Sequence, residues 1–370
     1  MPDYSDSLQE KNKKNPLMKR KNLVILLPKI VRTGPILGAS AIANTIQEDF
    51  DIEVISIKGG FSEDVDFNES ISQEDLSKNR GWIERIKWFR AYVDSKPNDT
   101  IFMSICFSAD LFNILFVKDR KRISSIRANN ALNYKFTYGP VIGYLLNAIH
   151  NLIFMHFEMI FVLSKEMLKQ VEHLDKKTSL ILIENFVDEK TIERYRSPKR
   201  DDHLRLVFTG SLTQRKQPKL ALLATRIVID KGINTTLHMI GDGPLMNDLF
   251  AYAKYLEISN HVVFHGHITD PYHIVSKADI FIMPSMSEGI SRAALEALFL
   301  GLPCLMRDVD GNSEIINENN GVLFNKNSQL EISVKLILEL LDAKLGEKKS
   351  LLPDRFTQKN AKDKLLRLLG

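Results

Sequence analysis

The sequence predicts an α/β protein made of two doubly wound, Rossmann-like domains that face each other across a cleft. Short continuous apolar runs, typical of buried parallel strands, alternate with helical patterns, and this alternation occurs in two consecutive blocks of similar size. The length of 370 residues is also too great for one typical hydrophobic core, which favours two domains.

Composition excludes several classes of protein. The chain has 26% charged and 44% hydrophobic residues, as ordinary soluble proteins do. A net charge of +4 is small for a dedicated nucleic-acid binder, so we expect no nucleic-acid partner. The two cysteines, Cys106 and Cys304, offer neither a disulfide framework nor a metal-site spacing, which favours a cytoplasmic protein without a metal. The apolar stretch 138–163 is interrupted by polar residues, so it predicts a buried helix and a strand rather than a membrane span.

The pattern divides the chain into five segments. They are a basic tail (1–20), an N-terminal domain (21–187), a linker (188–203), a C-terminal domain (204–350) and a C-terminal helix (351–370), for which one interpretation is packing against the N-terminal domain. Lysine and arginine crowd residues 11–21, and such runs are typical of a solvated, disordered tail. The alternative is attraction to an anionic membrane surface.

The N-terminal block opens with a strand–loop–helix–strand unit. Its strands are predicted over 22–28 and 52–57 and its helix over 39–48, and the loop contains Gly34 and Gly38. Parallel units of this kind bind ligands at the glycine loop. Residues 61–79 are predicted to be irregular and 81–94 to form an amphipathic helix. Further strands are predicted at 101–105, 123–126, 159–163 and 180–183.

The second block predicts strands at 204–209, 235–240, 261–264, 278–283, 302–306 and 321–324. After the first of these, Gly210 permits a tight exit from the strand. Arg215 and Lys216 then follow at the carboxyl end, where open α/β sheets bind ligands. Two cations at this place can neutralise a diphosphate. The alternative is that they are a solvated pair in a loop.

Two carboxylates, Glu288 and Glu296, are the strongest functional signal. Glu288 falls in a small-residue loop after an apolar strand, and Glu296 falls inside the helix that follows. A strand, a small-residue loop and a helix N-terminus make an anion site, because the first helical N–H groups have no intrahelical partner. Carboxylates beside such a site suit a ligand with phosphates and hydroxyls, such as a nucleotide sugar. Taken singly, each is also explained as an ordinary helix-entry or surface residue.

Other motifs are less specific. The sequence over 240–244 is explained by a turn, and the loop over 307–314 by a helix start. His265 and His267 are either packing residues or part of a pocket for a base. The chain lacks GxGxxG after its first strand and has neither a GxxxxGK[ST] loop nor a GxSxG elbow, which argues against dehydrogenases, P-loop enzymes and α/β-hydrolases.

Over 204–330 the second block resembles the retaining glycosyltransferases of family 4, which have the GT-B fold. The matching motifs are Gly210 with Lys216, IGDGP at 240–244, FHG at 264–266, ADIF at 278–281, PS at 284–285, EG at 288–289, LEA at 295–297, GLP at 301–303, and Glu314 with Gly321. The resemblance implies that the N-terminal domain binds the acceptor. It also implies that the C-terminal domain binds a nucleotide sugar, UDP-linked before others, without a metal.

The resemblance also implies roles for single residues. Glu288 would contact hydroxyls of the transferred sugar, and Glu296 would hold the ribose hydroxyls. Lys216 would hold the diphosphate, together with the backbone N–H groups of Gly289 and Ile290.

Gly34 would let the opposite domain approach the phosphates. Two departures from the family pattern affect this assignment. The family usually has Arg after the first glycine, where this chain has Ser211, and we expect Arg215 to supply the charge. The segment 103–110 lacks the histidine that many members carry, and Arg127 is the candidate for a polar group facing the donor sugar.

We therefore expect a retaining hexosyltransferase that moves a sugar from a nucleotide diphosphate to a glycan or lipid-linked glycan acceptor. The expected setting is surface polysaccharide or lipopolysaccharide assembly in the cytoplasm, with peripheral contact at the inner membrane face. Two alternatives remain: a non-catalytic GT-B scaffold that binds a glycan, and a nucleotide-sugar epimerase of the same fold.

Overall fold

A computed structural model describes residues 20–62, 64–78, 81–174, 178–196, 203–343 and 348–370. They form two all-parallel sheets, of seven strands in the order β3-β2-β1-β4-β5-β6-β7 and of six in the order β10-β9-β8-β11-β12-β13. This confirms the predicted pair of doubly wound domains. Of the predicted basic tail, 1–19 lie outside the described residues, as do 197–202 of the predicted linker.

The N-terminal half contributes seven strands and six helices. The strands are β1 (Lys21–Leu27), β2 (Phe50–Ser56), β3 (Ser72–Asp75), β4 (Ile101–Ser104), β5 (Lys121–Ile126), β6 (Met159–Val162) and β7 (Ser179–Leu182). The helices are α1 (Gly34–Ile46), α2 (Trp82–Ser95), α3 (Phe107–Phe116), α4 (Asn130–Tyr138), α5 (Pro140–Phe154) and α6 (Lys165–Val171).

The C-terminal half begins with a short helix and adds six strands and seven helices. The strands are β8 (Leu204–Thr209), β9 (Thr235–Ile240), β10 (Val262–Gly266), β11 (Ile280–Met283), β12 (Cys304–Arg307) and β13 (Gly321–Phe324). The helices are α7 (Glu189–Glu193), α8 (Pro218–Asp230), α9 (Met246–Tyr255), α10 (Tyr272–Val275), α11 (Arg292–Phe299), α12 (Asn312–Ile315), α13 (Leu330–Asp342) and α14 (Gln358–Leu369).

Two local predictions were wrong. Gly34 lies at the start of α1 rather than in a loop, because Pro35 at the next position has the fixed φ of a helical first turn. The predicted irregular segment 61–79 contains the edge strand β3, which pairs in parallel with β2 despite its polar sequence. The predicted linker, which stays a prediction, includes the short helix α7, whose first turn is capped by Asp188.

The C-terminal helix α14 packs on the N-terminal domain, against α1. Its residues Ala361, Leu365 and Leu369 belong to the same buried cluster as the core-facing side of α1. The chain reaches this position through a parallel bridge between Val187 and Thr357. The last helix of the sequence therefore completes the core of the first domain.

We expect Leu365→Ala to lower the free energy of unfolding by about 2–5 kcal/mol, the usual cost of removing a fully buried leucine side chain. Leu365 is 0% exposed, so the truncation leaves a cavity between α14 and α1. Urea denaturation followed by circular dichroism measures this loss. Lys359→Ala on the exposed side of α14 is the control, and equal stability of both variants would contradict the assigned packing.

Helix α5 differs from the buried helix predicted for this segment. Only Gly143, His150, Ile153 and Phe154 of its residues are buried, and the opposite side is exposed although it is apolar. The sequence alone did not distinguish a buried helix from one with an exposed apolar side, because a helix without charged residues has the pattern of a buried helix. Within the described ranges no helix has the length and apolarity that crossing a bilayer requires.

Candidate functional site

The C-terminal sheet brings the predicted cations and the first carboxylate together. Strand β8 pairs with β11, so the loops that follow these two strands lie side by side at the carboxyl edge of the sheet. The loops are joined where Met286 N donates to Arg215 O at 2.8 Å. Gly210 turns out of β8 with φ +154°, and a Cβ at this position would lie 3.7 Å from Lys216 Cε. The lysine side chain therefore lies beside this turn, at ordinary contact distance.

Lys216 and Glu288 form a direct ion pair. Lys216 Nζ donates to Glu288 Oε1 at 2.5 Å, and the two side chains are only 15% and 10% exposed. Arg215 Nη1 lies 3.7 Å from the same oxygen and donates to the Ser287 carbonyl at 2.7 Å. Burial raises the pKa of the Glu288 carboxyl, but the charges of Lys216 and Arg215 outweigh it and lower that pKa below its ordinary value. Glu288 is therefore ionised.

Asp310 holds the Glu288 loop in place, a role that the sequence did not indicate. Its Oδ2 accepts from Glu288 N at 2.8 Å and from Ser287 Oγ at 2.7 Å. Its Oδ1 accepts from Asn129 Nδ2 of the N-terminal domain at 3.0 Å. One carboxylate thus fixes the loop and joins the two domains.

Arg127 reaches the same region from the N-terminal domain, directly after β5. Its Nη2 donates to Asn185 Oδ1 at 2.5 Å, and Asn185 Nδ2 donates to Ile290 O at 2.5 Å. Its Nε and Nη1 are buried without a hydrogen-bond partner among the described residues. Burial and the nearby Arg292 charge lower the pKa of Arg127 to about 9, so it stays cationic at neutral pH. The guanidinium lies against Gly38, where a Cβ would be 2.2 Å from Nη2.

Glu296 belongs to a second cluster, with Arg292 and Tyr272. Arg292 Nη2 lies 3.6 Å from Glu296 Oε1, and Arg292 Nη1 donates to the Leu37 carbonyl of α1 at 2.9 Å. Burial raises the pKa of Glu296, and the Arg292 charge opposes that shift. Burial and the Glu296 carboxylate also raise the pKa of the Tyr272 hydroxyl, which therefore stays protonated and available as a donor.

The remaining predicted residues lie at the domain contact. A Cβ on Gly289 would be 2.8 Å from Leu163 Cδ1 of the N-terminal domain, so this glycine lets the two domains meet. Ile290 is buried and gives its carbonyl to Asn185. A Cβ on Gly34, by contrast, would meet no protein atom within 4 Å, so no side chain or backbone of the described residues crowds this position.

Cationic side chains of both domains line the cleft. Arg32 Nη2 donates to the Thr269 carbonyl across the domains at 2.9 Å. The other cationic side chains are Arg127, Arg215, Lys216 and Arg292, and the carboxylates of Glu288, Glu296, Asp310 and Asp64 lie among them. Cations grouped in this way can bind an anionic ligand. No group of three or more His, Cys, Asp or Glu side chains in the described ranges is arranged to hold a metal ion.

A cavity of about 290 Å³ lies on the N-terminal side and shares Arg127 with the cleft. Its polar floor is a buried network in which His150 Nε2 contacts Asp110 Oδ2 at 2.8 Å and His150 Nδ1 contacts Tyr134 OH at 2.7 Å. The segment 103–110 has no histidine, but α5 supplies one from 40 residues downstream. The contact between Asp110 and His150 could not be predicted from local sequence patterns, because 40 residues separate the two positions. The cavity also exposes aromatic and amide side chains, which suit a sugar.

Cys106 lines this cavity in a left-handed conformation, with φ +77°. Burial, followed by the neighbouring Asp110, raises the pKa of its thiol to about 12. A neutral thiol is a poor nucleophile, so the surroundings of Cys106 favour a place in the wall of the cavity over nucleophilic chemistry.

His265 pairs with His238 rather than standing free, their Nε2 and Nδ1 atoms being 2.9 Å apart. Burial and the neighbouring His265 lower the pKa of His238 to about 4. Because the unfolded chain takes up this proton near pH 6.5, the contribution of His238 to stability is present above that pH and lost as pH falls toward 4.

We expect the melting temperature of His238→Gln to fall less than that of wild type between pH 6.5 and 4. Parallel thermal melts test this, and identical pH profiles would contradict it.

Comparison with known proteins finds a family model and relatives that are similar to this chain. Residues 189–362 match the family model for glycosyl transferases group 1. The UDP-Gal:alpha-D-GlcNAc-diphosphoundecaprenol alpha-1,3-galactosyltransferase of Escherichia coli is 30% identical over 145 residues, which are 38% of this chain and 37% of the relative. The O-antigen biosynthesis glycosyltransferase WbnH of Escherichia coli is 31% identical over 169 residues, 45% of this chain and 46% of the relative. Both matches thus span less than half of the relatives' length.

Similar solved structures extend over almost the whole chain. Anabaena Alr3699/HepE, in complex with UDP and glucose, has a TM-score of 0.75 at 14% identity and covers 94% of this chain and 99% of that one. The lipopolysaccharide outer core galactosyltransferase WaaB has a TM-score of 0.66 at 16% identity, with 94% and 98% covered. Residues 189–362 are therefore similar to group 1 glycosyl transferases, and the two sheets together have the GT-B fold.

Proposed function

We propose that this protein is a retaining glycosyltransferase that moves a sugar from a nucleotide diphosphate, most simply UDP, to a glycan or lipid-linked glycan in surface polysaccharide or lipopolysaccharide assembly. The observation that carries the proposal is the buried Lys216–Glu288 pair at the carboxyl edge of β8 and β11. WbnH is named for O-antigen biosynthesis and WaaB for the lipopolysaccharide outer core, and the galactosyltransferase relative is named for a diphosphoundecaprenol-linked substrate.

In this proposal the cations receive the diphosphate. Lys216 and Arg215 would exchange part of their contact with Glu288 for phosphate oxygens, and their charge would stabilise the negative charge that develops on the leaving group. Charged hydrogen bonds to phosphate are strong, and the arginine fork adds geometric control. No metal is needed in this scheme, because two side chains supply the charge.

Glu288 would then hold hydroxyls of the donor sugar. Its carboxylate is ionised and buried, so it can accept hydrogen bonds that orient the sugar ring between the domains. Retention would follow a front-face route, in which the leaving phosphate oxygen takes the proton of the acceptor hydroxyl. Arg127, with two unpartnered buried N–H-bearing nitrogens among the described residues, would contact the donor from the opposite side.

The cavity beside Arg127 would hold the acceptor. The aromatic side chain of Phe107 suits the apolar face of a sugar, and Asn130 and Asn133 suit its hydroxyls. The cavity adjoins the donor side through Arg127, so an acceptor hydroxyl there would approach the reacting carbon.

We expect Lys216→Ala to raise the dissociation constant for UDP by roughly 10- to 100-fold, since it removes one charged hydrogen bond to the diphosphate. Isothermal titration calorimetry with UDP measures this. Lys219→Ala, an exposed lysine three residues away, is the matched control and should bind UDP like wild type. Unchanged affinity in Lys216→Ala would remove the assigned role, and a wild-type protein that does not bind UDP would favour the scaffold.

A further inference from the structure

The outer face of the α4–α5 hairpin is an apolar surface without a partner in the described chain. Val141 is 81% exposed, Tyr144 79% and Leu152 61%. Other large apolar residues of the hairpin that are also exposed are Phe136, Tyr138, Ile142, Leu145 and Ile149. On α5 these positions recur at three- and four-residue spacing, so they form one continuous stripe. A contiguous apolar surface of this kind marks an interaction site.

This face cannot turn inward, because the opposite face of α5 is already fixed. His150 and Phe154 are buried there, and His150 is held by Asp110 and Tyr134. At the other end a Cβ on Gly143 would lie 2.7 Å from Lys135 N, so α4 and α5 cross in close backbone contact. The exposed stripe is therefore a permanent feature of the fold.

The charges around the stripe favour an anionic partner. Helix α5 itself contains no Asp, Glu, Lys or Arg. Residues 128–157, which contain both helices of the hairpin, hold Lys135 and no Asp or Glu. Lys135 is exposed on α4, next to the exposed Phe136. An apolar surface with a lysine, with tyrosines at 138 and 144 and without acidic residues has the composition of a surface that lies at a lipid headgroup layer.

We propose that the outer face of α4–α5 docks on an anionic phospholipid bilayer, with α5 lying in the plane of the interface. A helix of 15 residues is about 22 Å long and is too short to cross a hydrocarbon layer of about 30 Å, so it lies on the membrane. Its apolar side chains enter the boundary of the acyl chains, and Lys135 contacts a lipid phosphate.

The position of this face gives it a role, and that role rests on the proposed function. Leu146, His150 and Phe154, on the inner side of α5, line the cavity proposed for the acceptor. Docking therefore brings the cavity to the membrane surface, where a lipid-linked glycan has its sugars. The helix α5 would then lie between the lipid bilayer and the cavity proposed for the acceptor.

Vesicle flotation with the whole protein tests the proposal. Vesicles of phosphatidylcholine with about 30% phosphatidylglycerol should carry wild type upward, and pure phosphatidylcholine should carry much less of it. Replacing Tyr144 and Leu145 by serine should lower the partition coefficient at least about tenfold, since both apolar side chains leave the lipid. The matched control replaces Ile332 and Leu336 by serine, which are exposed apolar residues of α13 in the other domain, and should float like wild type.

Further readouts separate the possible outcomes. Both double-serine variants, on α5 and on α13, should have the melting temperature and the UDP affinity of wild type. This result separates the membrane proposal from the donor site. Equal flotation of the α5 variant and wild type, or no flotation of wild type, would overturn the membrane assignment. So would a wild-type dimer in light scattering that becomes monomeric in the α5 variant, because the stripe would then bind a second copy. A wild-type protein that floats with the vesicles but does not bind UDP would support the membrane-docking surface and refute the proposed function.

Discussion

Glu288→Gln is expected to lower the rate constant of sugar transfer by about 100-fold or more while the protein keeps its fold, an effect typical of losing one group that stabilises a transition state. The substitution keeps the size of the side chain and removes its charge. Arg215 and Lys216 then lose their shared counter-charge, so their attraction for a diphosphate remains or increases. We therefore expect kcat to fall and the dissociation constant for UDP to stay the same or decrease.

That divergence between kcat and UDP affinity distinguishes a catalytic loss from a structural one. A labelled nucleotide sugar with a membrane extract as acceptor measures transfer, and calorimetry measures UDP binding. Glu331→Gln, on the exposed first turn of α13, controls for the change of charge. Undiminished turnover in Glu288→Gln would refute the assigned role, and loss of both activity and thermal stability would assign the ion pair to folding instead.

The sequence predicted those parts of the site that follow from the order of parallel strands. Lys216 and Glu288 are 72 residues apart, but each follows the carboxyl end of a strand, and such ends share one edge of a sheet. Apolar runs located the strands, and the glycine after β8 located the turn. The donor side of the cleft was therefore accessible from local patterns alone.

The contacts between the domains were not accessible in this way. Asp310 joins Glu288 to Asn129 across the cleft, and Asn185 joins Arg127 to Ile290. No periodicity or spacing records such pairs, because they depend on how two separately folded units meet.

The prediction that α5 is a buried helix failed for another reason. An uncharged amphipathic helix has one apolar side in the core and a second one outside, and hydropathy does not say which side is covered. Burial of His150 and exposure of Val141 became visible only once α3 and α4 were placed beside it.

Gly38→Ala is expected to lower transfer by roughly 10- to 100-fold without lowering the melting temperature, since misplacing a positioned group by about an ångström has effects of this size. The new Cβ would lie 2.2 Å from Arg127 Nη2. The guanidinium is the end of a flexible side chain, so it moves away and loses its hydrogen bond to Asn185. Alanine also has a better helix propensity than glycine, so α1 itself gains stability.

A double-mutant cycle shows whether the effect passes through Arg127. Gly38→Ala should have no further effect on transfer in an Arg127→Ala background, because the displaced group is then absent. Additive losses, or full activity of Gly38→Ala, would contradict this coupling. Gly34→Ala, four residues earlier in α1, meets no protein atom within 4 Å. Its effect on UDP binding therefore reports only on approach of the ligand, and the two glycines separate positioning of Arg127 from access to the phosphates.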